Sequence, residues 1–186
     1  EGLEVEGEEA PAVEFAGLRG GRGLVSDQVG VVLPTSLCSG QIAQMIAARL
    51  NAEGFGREKG ISRFVALVHT EGGGVAGAEA EALYARSMLS YLTHPLVRCA
   101  VLLEHGCEKT HNDYMRNELA ERGLQADDCG WASVQLDGGI DKAGEKVVDW
   151  FEHRLAAIEP ALPESAGLQA LRGGLNRDAF EVGKTI

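Results

Sequence analysis

The chain has 186 residues, with 17 Lys and Arg against 28 Asp and Glu, which makes its formal charge −11 and its pI near 4.9. Nucleic acids and anionic membranes are bound through cationic surface, so this balance argues against both as partners. Hydrophobic residues at 45% exclude wholesale disorder, and 19.7 kDa suffices for one domain that buries about 70% of its surface.

In chain order, residues 1–22 run from an acidic stretch into "GLRGGRG" without a sustained period and read as a linker or tail. The uncharged stretch Gln28 to Ala48 is long enough for a bilayer crossing. Pro34, Thr35, Ser36, Ser39, Gly40 and Gln41 interrupt it, so it reads as a strand, a polar loop and a helix, and no membrane span is expected. No basic and apolar leader opens the chain. It begins at Glu1, which reads as an excised piece, and Cys38, Cys99, Cys107 and Cys129 lack close pairing and read as reduced thiols of a cytoplasmic protein.

From Val29 four units repeat the order strand, loop, helix. The first is Val29 to Leu33, "PTSLCSG" and a helix from Gln41 to Glu53; the second is Phe64 to Val68, "HTEGGGVAG" and a helix from Ala78 to Leu92. The third is Ala100 to Leu103, "EHGCEKT" and a helix from His111 to Glu121; the fourth is Ser133 to Leu136, "DGGIDK" and a helix from Ala143 to Ile158. Apolar strands alternating with helices predict an α/β domain over 23–159, a three-layer Rossmann-like arrangement with a parallel sheet of at least four strands. Residues 160–186 read as a C-terminal strap or a lead into a missing domain. The terminal "GKT" is no P-loop, since Asp178 stands where that motif needs glycine.

Ligands of an open parallel sheet bind at the carboxyl ends of its strands. That rule selects loops holding Thr35, Ser36 and Cys38; His69, Thr70, Glu71 and Gly72, Gly73 and Gly74; Glu104, His105, Cys107, Glu108 and Lys109; and Asp137, Gly138 and Gly139. Backbone N–H groups of "EGGG" before a helix would make an anion nest, or the glycines serve only a tight turn. Cys107 is expected near a helix start, where the dipole lowers a thiol's pKa, as a metal ligand or nucleophile. His111, four residues on, would share its ion; thiolate and imidazole suit iron or zinc. The bland alternative is a half-buried thiol beside a surface histidine.

The stretches "VGVVLPTSLCSGQIA", "VALVHTEGGG", "YLTHPLVRCAVLLEHGCE" and "VQLDGGI", in this order between about Gly23 and Gly139, resemble the altronate dehydratase and galactarate dehydratase family, which includes sulfolactate sulfo-lyase. The resemblance implies the central domain of a longer hydro-lyase that dehydrates an aldonic or aldaric acid with Fe2+ or another divalent metal. Its partners would be a small anionic sugar acid, the other domains of the parent chain and, in one arrangement, a second copy of itself. Pro34, Thr35 and Cys38 match the family's first loop, His69, Gly72 and Gly74 its second, and Gly106, Cys107 and Glu108 its third; Gly73 stands where the family has a cysteine. On this reading Cys38, Cys107 and His111 are metal ligands and His69 and Glu108 the catalytic base or acid. Thr35, Ser36, Gly72, Gly73, Gly74, His105 and Lys109 would contact substrate. The alternatives are a non-catalytic domain that binds a small anion or assembles with other domains, and a nucleotide-binding domain, against which no G-x-G-x-x-G follows the first strand.

Overall fold

The computed structural model describes residues 14–20, 23–71 and 77–167. In chain order they form β1 (Glu14–Gly20), β2 (Gly23–Val25), β3 (Val29–Pro34), α1 (Leu37–Ala52), β4 (Arg63–Ala66), α2 (Ala78–Leu92), β5 (Val97–Glu104), α3 (Asn112–Glu121), β6 (Gly130–Ser133), α4 (Ile140–Ala157) and β7 (Leu162–Gly167). Strands β4, β3, β5 and β6 lie side by side in that order as a parallel sheet. The expected α/β layering is therefore present.

Alternation along the strands divides the core into two. Val29, Val31 and Leu33 of β3 pack with Tyr84, Met88 and Leu92 of α2 and Met115 and Leu119 of α3. Val32 faces the opposite side with Val101 and Leu103 of β5, against Ile42, Ile46 and Leu50 of α1 and Val147, Phe151 and Leu155 of α4. A strand with helices on both faces has no solvent side, which is why β3 is buried at every position and reads as a continuous apolar run. Gly30 is required by its neighbour in register, Phe64: a Cβ at Gly30 would sit 2.3 Å from the Phe64 ring, which packs edge-on against Phe151 at 4.9 Å.

Several boundaries differ from the sequence reading, two of them instructively. Helix α1 begins at Leu37 rather than Gln41, because Ser39 and Gly40 are small enough to be buried in its first turns, and this puts Cys38 inside the helix. The fourth strand is Gly130–Ser133, ahead of the expected Ser133 to Leu136; Leu136 lies in the following turn and is 83% exposed. An apolar residue in a turn had imitated a strand end. Segments expected as tail and strap contribute β1 and β7, which pair antiparallel, with β2 on the far side of β1. Arg19 and Glu164 form an exposed ion pair across that second sheet. The remainder of both terminal segments, and the expected nest Gly72–Gly74, lie outside the described residues. Among the described residues no helix is long and apolar enough to cross a membrane.

Candidate functional site

At the carboxyl ends of β3 and β5 the chain leaves the sheet in two loops that a single carboxylate ties together. Glu108 is 4% exposed. Its Oε1 accepts the Thr35 hydroxyl at 2.6 Å, the Ser36 hydroxyl at 3.2 Å and the His105 N–H at 2.9 Å. Its Oε2 accepts the N–H groups of Gly106 at 2.7 Å and Cys107 at 2.9 Å. Burial pushes this carboxyl up, but the hydroxyl of Thr35 and the backbone N–H groups around it prevail and hold it down at about 2. The carboxylate is ionised throughout the physiological range, and the usual four lone-pair positions of a carboxylate are taken.

Glycine is what lets the loop wrap its own glutamate. Gly106 has φ +112°, a region L side chains rarely adopt, and a Cβ there would lie 2.7 Å from the Gln135 side chain. Ser36 is the N-cap residue of α1, yet its hydroxyl makes no cap bond and turns to Glu108. The backbone of the first loop is pinned as well. The Thr35 carbonyl accepts the Tyr84 hydroxyl at 2.7 Å and the Thr110 hydroxyl at 3.3 Å. Burial raises the Tyr84 phenol well above its ordinary value, so it remains a donor. The Leu37 N–H donates to the carbonyl of Glu71, joining the second loop to the start of α1.

On this frame stand the reactive side chains. Cys38 and Cys107 are both exposed, and their thiols lie close enough to interact. The donor atoms of His105, Cys107 and Glu108 all lie within 4.8 Å of one another. His105 Nδ1 is buried without a partner. Cys107 lies in the loop ahead of α3, but its thiol is raised rather than lowered as expected near a helix start, by lost solvation, by Cys38 and by the Glu108 charge. A bound cation would reverse that balance, since a coordinating thiol gives up its proton.

His69 reaches the same rim from the second loop. Its Nε2 lies 2.9 Å from the Pro34 carbonyl and its ring stands edge-on to Tyr84, with centroids 5.8 Å apart. A carbonyl only accepts, so Nε2 carries the hydrogen, and in the neutral ring Nδ1, buried and without a partner, holds the lone pair.

His111 goes elsewhere. It caps α3, its Nδ1 accepting the Tyr114 N–H at 3.4 Å, and it lines a separate cavity of about 320 Å³ with Glu104, Asn112, Ser133 and Asp137. That cavity touches the site at Gly106. Lys109 is exposed on the same loop. The structure thus brings together Thr35, Ser36, Cys38, His105, Cys107 and Glu108, sets His69 beside them through Pro34, and separates His111. Tyr84, Thr110 and Asn112 escaped the sequence reading. Tyr84 sits at core spacing in α2 with Met88 and looks like packing. Asn112 is buried, gives its N–H to Glu104 Oε2 at 2.5 Å and its amide to the Ala132 carbonyl at 2.9 Å, contacts that only the fold creates.

The chain is 34% identical over 99 residues to "Ribonuclease 3" of Pseudoalteromonas translucida (strain TAC 125), an alignment covering 45% of this chain and 44% of that protein. This chain therefore spans less than half of that relative. No solved structure matches the chain. Residues 28–159, from just before β3 to just after α4, match the family described as D-galactarate dehydratase/Altronate hydrolase, second domain. The chain belongs to that family, and its parallel sheet with the loops around Glu108 is the family's second domain.

Proposed function

We propose that the chain is the site-bearing domain of a sugar-acid dehydratase, part of a longer protein that removes water from an aldonic or aldaric acid such as altronate or galactarate. The observation that carries this reading is the approach of Cys38, in the first turn of α1, to Cys107 in the loop after β5, where the donor atoms of His105, Cys107 and Glu108 lie within 4.8 Å of one another. Two thiols and an imidazole whose Nδ1 is buried without a partner form a donor set that fits Fe2+ or Zn2+. Cys38, Cys107 and His105 would hold the ion. Bound there, a divalent metal would supply Lewis-acid polarisation of the substrate's carboxylate and hydroxyl.

Dehydration removes a proton next to a carboxylate and expels hydroxide. His69, with a free lone pair on Nδ1, suits the proton acceptor. Glu108 suits a different part from the acid or base the sequence suggested. A carboxyl held at about 2 has no proton to give near neutrality and little affinity for one. Its role is to position the backbone on which Cys107 and His105 stand. Lys109 and the cavity beside Gly106 are available to an anionic sugar acid. A ribonuclease reading finds no support in a chain of charge −11, which repels an RNA backbone.

The experiment is turnover of galactarate and altronate by the full-length protein after reconstitution with Fe2+, alongside Cys38→Ser, Cys107→Ser and His69→Gln. Sugar-acid dehydration that falls at least about 100-fold in each variant supports the reading, the loss expected when a ligand or general base is removed. A metal-loaded wild type inert on every sugar acid refutes it in favour of a binding or assembly domain.

A further inference from the structure

At the opposite rim, the amino ends of the strands, a second cavity of about 350 Å³ opens among Gln28, Arg98, Cys99, Asp128, Cys129 and Arg154. Its size falls within the range of small-ligand pockets, about 300–1,000 Å³. Its lining is polar in an unusual way. Arg98 Nε, Arg154 Nε and Gln28 Oε1 are all buried without hydrogen-bond partners, and Gln28 is only 2% exposed. A buried polar group left unpaired costs about 1–3 kcal/mol, more when charged, so three around one cavity call for an occupant.

The backbone is built to bring Arg98 there. In the β3–β5 ladder Val29 pairs with Val97 but Gly30 pairs with Cys99, so Arg98 is an extra residue on β5. Accordingly Val97 and Ala100 face the α2 and α3 side while Cys99, Val101 and Leu103 face α1 and α4. Bulges are rare in parallel pairs and re-aim a side chain where they occur. The Arg98 guanidinium holds the Glu159 carbonyl at 2.9 Å with one nitrogen and leaves Nε unmatched. Arg154 arrives from the last turn of α4 and pairs with the exposed Asp128 at 3.4 Å. Both guanidiniums are close enough to Cys99 to oppose the rise that burial imposes on its thiol. Two arginines against one aspartate make the cavity cationic on a chain that is strongly acidic overall.

We propose that this cavity is a second binding site, separate from the Cys38–Cys107 rim, for a small oxyanion that also carries a hydroxyl, such as monohydrogen phosphate: Arg98 and Arg154 take the anionic oxygens and the Gln28 carbonyl accepts the hydroxyl. Planar guanidinium forks match oxyanions in geometry as well as charge. The carbonyl is what separates this ligand from a fully deprotonated anion, which would leave Gln28 Oε1 as unpaired as before.

Inorganic phosphate and sulfate are the probes, titrated into the full chain at constant ionic strength while alkylation of each cysteine is followed by mass spectrometry. Cys129 lines the cavity and is half-buried, whereas Cys38 and Cys107 report on the other rim. Phosphate should slow Cys129 modification several-fold and saturably, sulfate markedly less, with Cys38 and Cys107 unchanged; Arg98→Gln and Arg154→Gln, tested separately in case one fails to fold, should abolish the protection. No protection by either anion overturns the site in favour of a water-filled cavity. Protection that survives both substitutions, or falls on Cys38 and Cys107 instead, identifies an adventitious ion only. Equal protection by sulfate overturns the assigned role of the Gln28 carbonyl.

Discussion

The Thr35 hydroxyl donates to Glu108 Oε1 at 2.6 Å, joining the end of β3 to the loop after β5 by a buried bond to an ionised acceptor. Neither residue is exposed by more than a few per cent, so water does not replace either partner. Hydrogen bonds to charged groups contribute about 1.5–3 kcal/mol, and Thr35→Val keeps the side chain's shape while removing the donor. The variant should lose about 2 kcal/mol in urea unfolding, with an unchanged m-value.

Glu108 makes the fold sensitive to acid in a defined window. Its carboxyl lies at about 2 in the folded chain against an ordinary 4.5. A depressed folded value means that its contribution is present in full above about 4.5 and disappears as the pH falls toward 2. The difference corresponds to about 3 kcal/mol, reduced in practice by relaxation around the group. Glu108→Gln should therefore be less stable than wild type at pH 7 by about 2–3 kcal/mol, and the gap between the two unfolding midpoints should shrink steadily from pH 4.5 to pH 3. A gap independent of pH would mean that shape, not charge, is what Glu108 supplies.

Gly106→Ala combines two penalties, a side chain at φ +112° and a Cβ 2.7 Å from the Gln135 side chain. Backbone held in a region foreign to its residue costs about 1–3 kcal/mol. Adding Gln135→Ala should recover the steric part and leave the backbone part, so the double variant should unfold between Gly106→Ala and wild type. Thermal denaturation of the four proteins measures this.

Metal content separates the two histidines. Under the proposed reading His105→Ala in the full-length protein should retain at least about tenfold less tightly bound Fe2+ or Co2+ after dialysis, in keeping with the loss of one donor. His111→Asn, which preserves an N-cap, should retain the metal. Elemental analysis decides it, and the reverse pattern would return His111 to the ligand set.

Removing a thiol tests the Cys38–Cys107 pair without turnover. A Co2+ complex bonded to thiolate absorbs in the near ultraviolet, and that band should weaken in Cys38→Ser and in Cys107→Ser alike. A band unaffected by Cys38→Ser would show that the Cys107 loop holds the ion without α1.

The layering of this domain was determined by local pattern. The apolar runs at Val29 and Ala100, and the 3.6-residue period of the helix ending at Leu92, follow from which faces must be buried, and burial of a strand or helix face is recorded residue by residue. The rule that parallel sheets bind at their carboxyl ends then selected the Thr35 and Glu108 loops without further help. Tertiary structure decided the rest. β1 and β7 carry little pattern of their own and exist because they pair with each other across most of the chain. The start of α1 at Leu37 depends on Ser39 and Gly40 fitting against neighbours that no local window contains. Glu108 in a sequence reads as an acid or base; that five donors from two loops enclose it is visible only in the fold. Likewise His105 and His111 look interchangeable near Cys107 until the chain turns one toward Cys107 and Glu108 and spends the other on a helix cap. Hydrogen-bond partners and unpaired atoms are properties of three-dimensional neighbourhoods, which is why the chemistry of this site, unlike its location, could be read only from the fold.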